Sequence, residues 1–214
     1  MSEITGILEF AYHLGFTNLY DWQCRILLRY QAGDPTAAAC ANFTGKTSTV
    51  FPVCSLWTLY NFPRARVQYL SATGAQVRNQ FFAALNRFSS HRFFAGWSWL
   101  DTEVRTPAGG FLFGRATDQS GNIEGIHDQF QSPAALLVDE AKSVRDEILD
   151  ALSRCNTTFR LFMSSTGQAA GGFYQDMHRE ISPLENLPRP ILPVPARPSI
   201  LDRCRSREPQ RQRL

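Results

Sequence analysis

Residues 37–49, AAACANFTGKTST, contain the strongest functional pattern in the sequence. A run of small residues leads into a loop that Gly45, Lys46 and Thr47 close, and a segment with helical periodicity follows. A strand, a loop and a helix in this order predict a phosphate-binding loop, because the unpaired N–H groups and the dipole at a helix start attract anions. In such a loop Lys46 reaches the β- and γ-phosphates and the Thr47 hydroxyl binds Mg²⁺.

Two positions depart from the full G-x-x-x-x-G-K-[ST] pattern. Cys40 stands at the first glycine position, and Phe43 stands where a residue free to adopt positive φ is easiest to accommodate. A GKT tripeptide also occurs by chance in unrelated chains. However, Lys46 and Lys142 are the only lysines among 22 basic residues. A chain whose other basic residues are arginines therefore has a lysine at the position where a phosphate-binding loop needs a compact ammonium.

The composition predicts a globular domain without a metal cluster or a membrane partner. The 214 residues suffice for one domain of ordinary size, with 43% hydrophobic and 19% charged residues. The five cysteines form no C-x-x-C pair, which argues against a zinc site and a disulfide framework. No basic region opens the chain, and no apolar run approaches the ~20 residues of a membrane span. We therefore expect a cytoplasmic protein, in a bacterial host.

The order of periodic segments predicts an α/β fold in which a mainly parallel sheet is flanked by helices. A Gly-rich turn within residues 95–116 predicts an antiparallel hairpin at the sheet edge. The expected helices are residues 3–14, 19–31, 46–60 with a kink at Pro52, 75–88 and 145–153; the expected strands are 66–71, 134–138 and 158–167, and 118–125 is expected to be a loop.

Asp139 and Glu140 follow a continuous apolar strand, residues 134–138. A fully buried strand that ends in two carboxylates is typical of one that delivers acids to a site at the carboxyl edge of a sheet. Asp139 would bind Mg²⁺, and Glu140 would act as the general base that polarises the attacking water. An ordinary surface turn after a buried strand is the alternative, but the GKT loop upstream favours the functional interpretation.

Two other stretches are candidates for the same site. An aromatic and amide cluster at residues 20–23 includes Gln23, whose amide suits the edge of an adenine ring; the alternative is a core Trp22 and an ordinary helical Gln23. The strand 158–167 ends in Ser-Ser-Thr-Gly, where Ser165 or Thr166 would sense the γ-phosphate, unless this is a plain strand-to-loop turn.

Together these motifs resemble the ATPase domain of the large terminase subunit of tailed bacteriophages. The resemblance covers roughly residues 15–180 and rests on an ordered set of motifs: DWQ (21–23), ANFTGKT (41–47), SATGAQVR (71–78), IEGIH (123–127), LLVDEA (136–141) and SSTG (164–167). They correspond to the family's adenine motif, a Walker A variant, the segment after the second strand, the residues before Walker B, the Walker B strand and the coupling motif.

This resemblance implies a RecA-like P-loop NTPase fold and hydrolysis of ATP with Mg²⁺ to drive DNA into a prohead. The implied partners are double-stranded DNA, a small terminase subunit, the portal or prohead, and further copies of the chain in a ring. An arginine completes the site in such rings; Arg78, Arg105 and Arg115 are candidates, with Arg115 preferred, and a solvated surface charge is the alternative for each. The implied nucleotide contacts are Gln23, Ala41, Asn42, Phe43, Thr44, Gly45, Lys46, Thr47 and Thr166; the implied metal ligands are Thr47 and Asp139.

We expect residues 1–180 to form the ATPase domain and residues 181–214 to form a disordered tail. The tail holds seven of the 12 prolines, seven arginines and three acids, so the net charge of +3 comes from it. The family's nuclease domain is not expected in this chain, and a truncated or frameshifted prophage gene would explain the tail. An inactive remnant and another RecA-like ATPase, such as a helicase, stay open as alternatives, as does a tail that contacts DNA phosphates.

Overall fold

The computed structural model describes residues 5–117, 127–129 and 132–165. Within these ranges a seven-stranded sheet is flanked by helices, with two short 3₁₀ turns besides. The strands are β1 Thr36–Cys40, β2 Arg66–Ser71, β3 Ser98–Leu100, β4 Glu103–Arg105, β5 Phe111–Ala116, β6 Ala134–Val138 and β7 Phe159–Ser165. The helices are α1 Ile7–His13, α2 Asp21–Gln31, α3 Phe51–Asn61, α4 Gly74–Gln76, α5 Ala83–Asn86 and α6 Asp146–Ser153, with π turns Lys46–Val50 before α3 and Val77–Phe82 between α4 and α5.

The strand order is β1-β7-β6-β2-β5-β4-β3. The first five strands in this order, β1, β7, β6, β2 and β5, are parallel to one another. The strands β4 and β3 add an antiparallel edge, as the Gly-rich turn predicted. The first arm of the predicted hairpin is divided, because Asp101 and Thr102 form a second turn between β3 and β4. The mainly parallel sheet with an antiparallel edge is therefore confirmed.

Helices cover both faces of the sheet because its crossovers run in opposite directions. The connection from β1 to β2 passes through α3 and packs on one face, where Val67 and Tyr69 join the core with α1 and α2. The connection from β6 back to β7 passes through α6, and Ile148 and Leu152 pack on the other face. Right-handed crossovers in opposite directions require helices on opposite faces. Because β1, β7, β6 and β2 are parallel, their carboxyl ends lie at one edge of the sheet.

The helix after the loop begins in a π turn, where the sequence predicted an α-helix with a kink. The Phe51 N–H donates to the Lys46 carbonyl five residues earlier, and the α-helical pattern starts at Phe51. Pro52 lacks the N–H that would bond the Ser48 carbonyl, and Arg87 Nη2 donates to that carbonyl instead, at 3.1 Å. The proline therefore ties this helix to the segment that follows β2.

The other predicted elements agree with the structure in type and differ by a few residues at their ends. The strand predicted at 66–71 is reproduced, and the predicted helix 75–88 is the continuous segment α4, π turn and α5. Gly15 ends α1 with φ of 93°. The predicted loop 118–125 and the proposed tail lie outside the described residues. Among the residues that the structure describes, no helix has the length and apolarity to cross a membrane.

Candidate nucleotide-binding site

The loop between β1 and the π turn has two residues with positive φ. Gly45 has φ of 89°, which L side chains rarely adopt, and a Cβ there would lie 2.9 Å from Gln23 Nε2. Phe43 has φ of 59° although it is not glycine, as its position in the sequence suggested. Its side chain is completely exposed, so no core packing holds this conformation. Both positions therefore have left-handed backbone, one of them in a phenylalanine.

Lys46 is buried at the start of the π turn, with 6% of its surface exposed. Its ammonium donates to the carbonyls of Ala41, at 3.0 Å, and Cys40, at 3.4 Å, both in its own loop. No described carboxylate lies within salt-bridge distance of this ammonium. A buried cation that only neutral carbonyls contact is poorly compensated, so the site favours an anion beside it.

Thr47, in the π turn after β1, contacts Asp139, the residue after β6, although β1 and β6 are not neighbours in the sheet. The Thr47 hydroxyl donates to Asp139 Oδ2 at 2.5 Å, across 92 residues of sequence. The Asp139 backbone N–H donates to the Leu70 carbonyl at 2.8 Å, which continues the β6–β2 pairing past the end of β6. The side chain is 3% exposed, and this burial raises its pKa even though three hydrogen bonds oppose the shift. A hydroxyl beside a buried carboxylate is a donor set of the kind that Mg²⁺ prefers.

Tyr69 is a third member of this cluster that the sequence analysis missed. Its hydroxyl donates to the same Asp139 Oδ2, at 3.0 Å. Burial, and then the negative charge of Asp139, hold the pKa of Tyr69 well above its usual value, so the hydroxyl keeps its proton. In the sequence Tyr69 is one apolar position of a strand, and the only available signal was its place two residues before the strand's carboxyl end.

Glu140 follows Asp139 with φ of 51° and ψ of 43°, an uncommon conformation for a residue other than glycine. Its Oε2 accepts a hydrogen bond from Ser165 Oγ at 3.0 Å. The neighbouring Ser164 hydroxyl accepts from the Lys142 N–H at 3.3 Å. The predicted coupling strand therefore does lie beside the acidic strand, and its last described residue contacts the predicted general base. Thr166, the other predicted sensor, lies outside the described residues.

Gln23 connects helix α2 to the loop. Its Oε1 accepts the N–H of Tyr20, the residue before α2, at 3.0 Å, and its Nε2 donates to the Thr44 carbonyl at 2.9 Å. Gln23 is 3% exposed, while Trp22 is half-buried and packs against the core, so a contact of Gln23 with an adenine ring stays a prediction. The bonds to Tyr20 and Thr44 use one N–H and one lone pair of the amide and leave one of each.

The other loop residues predicted to contact the nucleotide, and the preferred ring arginine, lie at the carboxyl edge of the sheet. Ala41, Asn42 and Phe43 are exposed on the loop. Arg115 lies near the carboxyl end of β5, opposite Leu70 of β2, and its guanidinium lies over the Phe113 ring, 5.0 Å from the centroid.

Two other predicted motif residues lie away from the Thr47–Asp139 contact. Arg78, another candidate for the ring arginine, is exposed on the π turn after α4. His127 of the IEGIH motif accepts the Asn156 N–H at 3.0 Å, before β7 begins, so it lies at the opposite edge of the sheet. The motif's other residues lie outside the described part of the chain.

The geometry fits a nucleotide with a divalent cation. The loop presents a buried ammonium without an acidic partner, a glycine whose position a Cβ would crowd, and a hydroxyl and carboxylate in contact. Among the described residues no group of three or more His, Cys, Asp or Glu side chains could form a metal site by itself. Protein donors here are therefore sufficient only for a cation that also binds phosphate oxygens and water, which is the usual behaviour of Mg²⁺.

No protein-family model and no curated protein matches the sequence. Among solved structures, the large terminase of a thermophilic bacteriophage superposes with a TM-score of 0.53 at 15% identity, over 70% of this chain and 39% of that chain. A second crystal form of that terminase, in complex with ATP-γ-S, gives a TM-score of 0.49 at 16% identity, over 69% and 38%. The described part of the chain is therefore a domain with the mostly parallel, RecA-like α/β fold of a phage large terminase, as the motifs predicted.

Proposed function

We propose that the chain binds Mg²⁺-ATP at the carboxyl edge of its sheet and hydrolyses it, as the ATPase domain of a DNA-packaging motor. The observation that carries the proposal is the contact of Thr47 with Asp139 beside the buried Lys46, which has no acidic partner among the described residues. Phosphoryl transfer needs both an anion site and a metal-binding carboxylate, and Lys46 and Asp139 would supply the two at this edge.

Each residue would have a distinct role. Lys46 and the N–H groups at the start of its helix would bind the phosphates, while Thr47 and Asp139 would hold Mg²⁺, which would neutralise charge on the transferred group. Glu140 would orient and deprotonate the attacking water. Ser165 holds the Glu140 carboxylate from the adjacent strand, so it would keep the base aimed at the site.

The wider role in DNA packaging rests on the motifs together with the fold likeness to the terminase of the thermophilic bacteriophage. The chain matches only 39% of that protein's length. In this role the motor would act on double-stranded DNA as a ring in the host cytoplasm, with a small subunit and a prohead portal as partners. Arg115, at the same edge as the site but three strands from β7, would serve a neighbouring copy.

Nucleotide binding is tested by titrating the purified chain with a fluorescent ATP analogue and Mg²⁺. Lys46→Ala is expected to weaken binding about 10- to 100-fold, the worth of charge-assisted hydrogen bonds to phosphate. Arg64→Ala is the matched control, because it removes an exposed cation just before β2, at the opposite edge. Equal affinity for the wild-type and Lys46→Ala chains would overturn the proposal.

Hydrolysis is tested by phosphate release with and without linear duplex DNA. Glu140→Gln keeps the acceptor for Ser165 and is expected to lower the rate about 10²- to 10⁴-fold, with little change in affinity. Glu147→Gln, an exposed change on α6, is the control and should match the wild type. Turnover equal to that of Glu140→Gln in the wild-type chain would favour an inactive remnant. Strand separation without a prohead would favour a helicase.

A further inference from the structure

We infer that Tyr69 is a positioning residue that fixes the Asp139 carboxylate in the orientation needed to hold Mg²⁺. This inference rests on the proposed function, since the orientation matters only if the site binds a metal and a nucleotide. Tyr69 is fully buried in β2, and its hydroxyl is the second donor to Asp139 Oδ2.

The hydrogen bonds of Asp139 leave its carboxylate with one orientation. Oδ1 accepts the Glu140 N–H at 2.9 Å, while Oδ2 accepts the hydroxyls of Thr47 and Tyr69. Thr47 lies in the π turn directly after the loop, so its contact with Asp139 depends on where the loop places that turn. The Glu140 N–H and the Tyr69 hydroxyl instead come from the sheet and its edge, and they hold one oxygen each. The carboxylate therefore keeps its orientation independently of the loop.

The Tyr69 ring is itself clamped by two helical segments. It stacks on Phe81 with ring centroids 3.7 Å apart and an interplanar angle of 8°. Phe51, the first residue of α3, meets it edge-on at 5.4 Å and 80°. The backbone of Tyr69 is paired in register with Leu137 of β6, two residues before the aspartate. The ring has no freedom to move its hydroxyl away, which is the property of a second group that orients a metal ligand.

Tyr69→Phe tests the contribution of the hydroxyl separately from that of the ring, because phenylalanine keeps both aromatic contacts. Tyr30→Phe is a matched control: Tyr30 is 1% exposed and its hydroxyl forms one buried hydrogen bond, to Thr58 Oγ1 at 2.7 Å, between α2 and α3. Both variants lose one buried hydroxyl, but only the first loses it beside Asp139. Any general effect of the lost bond on the fold appears in both.

The measurement is the binding of a fluorescent ATP analogue as Mg²⁺ is titrated, with a parallel series in EDTA. Tyr69→Phe is expected to raise the half-saturating Mg²⁺ concentration about tenfold, the lower end for loss of a group that orients a metal ligand, and to leave affinity in EDTA unchanged. Tyr30→Phe should match the wild type in both series. An unchanged Mg²⁺ requirement in Tyr69→Phe, or an equal increase in Tyr30→Phe, would overturn the inference.

A double-mutant cycle distinguishes this result from a failure of the proposed function. Melting temperatures are measured without nucleotide for the wild type, Tyr69→Phe, Asp139→Asn and the double variant. A direct contact predicts that the double variant loses less than the sum of the single losses, whereas additive losses contradict it. If the wild type binds no nucleotide at all, the proposed function fails and the positioning role fails with it, while the cycle still reports on the contact.

Discussion

Replacing Arg160 by methionine should destabilise the domain strongly without altering the nucleotide site. Arg160 lies in β7, is 1% exposed, and has no carboxylate within salt-bridge distance among the described residues. Its guanidinium donates to Thr157 Oγ1 at 2.8 Å, to the Ser153 carbonyl at 3.4 Å and to the Cys155 carbonyl. The two carbonyls lie at the end of helix α6, where a cation is favoured by the helix dipole.

Two effects of opposite sign set the magnitude. Burial lowers the pKa of Arg160, so removing the charge relieves a desolvation cost. Methionine, however, leaves the Thr157 hydroxyl and two carbonyls without their donors, and each unpaired buried group costs about 1–3 kcal/mol. The second effect is larger because three acceptors remain. We expect a loss of about 3 kcal/mol in the free energy of unfolding, which corresponds to a melting temperature about 6–12 °C lower.

The assay is urea unfolding followed by tryptophan fluorescence, since the chain contains four tryptophans. Arg25→Met, an exposed position on α2, is the control and should stay within about 0.5 kcal/mol of the wild type. Thr157→Val removes one of the three acceptors, so in the Arg160→Met background it should cost less than it does alone. Arg160→Met with wild-type stability, or additive effects of the two changes, would refute the reasoning. Arg160 lies at the start of β7, away from the loop, so the affinity for nucleotide should not change below the melting transition.

Three further outcomes follow from strain, from the acidic strand and from a partly buried histidine. Phe43→Gly should raise the free energy of unfolding by about 0.5–1 kcal/mol, because removing the strain of a left-handed backbone at Phe43 outweighs the greater entropy of the unfolded chain. A lower melting temperature would contradict this. Ser165→Ala should slow ATP hydrolysis about three- to tenfold with unchanged affinity for the nucleotide, since Glu140 loses its hydroxyl partner. An unchanged rate would show that this contact does not contribute to hydrolysis. Burial lowers the pKa of His91, so the folded state resists its protonation and stability is lost as the pH falls through its ordinary value of 6.5. His91→Asn keeps an acceptor for the Phe93 N–H and should lose less stability between pH 8 and pH 5.5 than the wild type in urea unfolding; equal losses would contradict it.

The elements that the sequence predicted well are those that depend on local patterns. The strand Arg66–Ser71 and the buried strand Ala134–Val138 follow from apolar runs of strand length, and the loop follows from the closing Gly-Lys-Thr. The positive φ of Phe43 was visible because the glycine normally expected there is missing. Each of these signals is contained within about a dozen residues.

The elements that the sequence did not predict depend on contacts between distant residues. The role of Tyr69 arises from a hydroxyl that meets a carboxylate 70 positions later, and nothing around Tyr69 distinguishes it from a core aromatic. The buried amide of Gln23 donates to a carbonyl of the loop 21 residues away. The Ser48 carbonyl in the π turn Lys46–Val50 accepts a hydrogen bond from an arginine 39 residues later. Periodicity carries no information about such partners.

The position of β7 between β1 and β6 has a consequence for how the protein is made. Within the described residues β1 pairs only with β7, so the strand that carries the loop is attached to the sheet through the last described strand to be synthesised. Until residues 159–165 have left the ribosome, β1 has no partner strand among the described residues, and Thr47 is held toward Asp139 from the side of α3, whose Phe51 packs on Tyr69 of β2. A nascent chain would therefore complete the scaffold of the Thr47–Asp139 contact late, when β7 inserts, and a chain that stopped before Phe159 would lack the strand that joins β1 to the sheet.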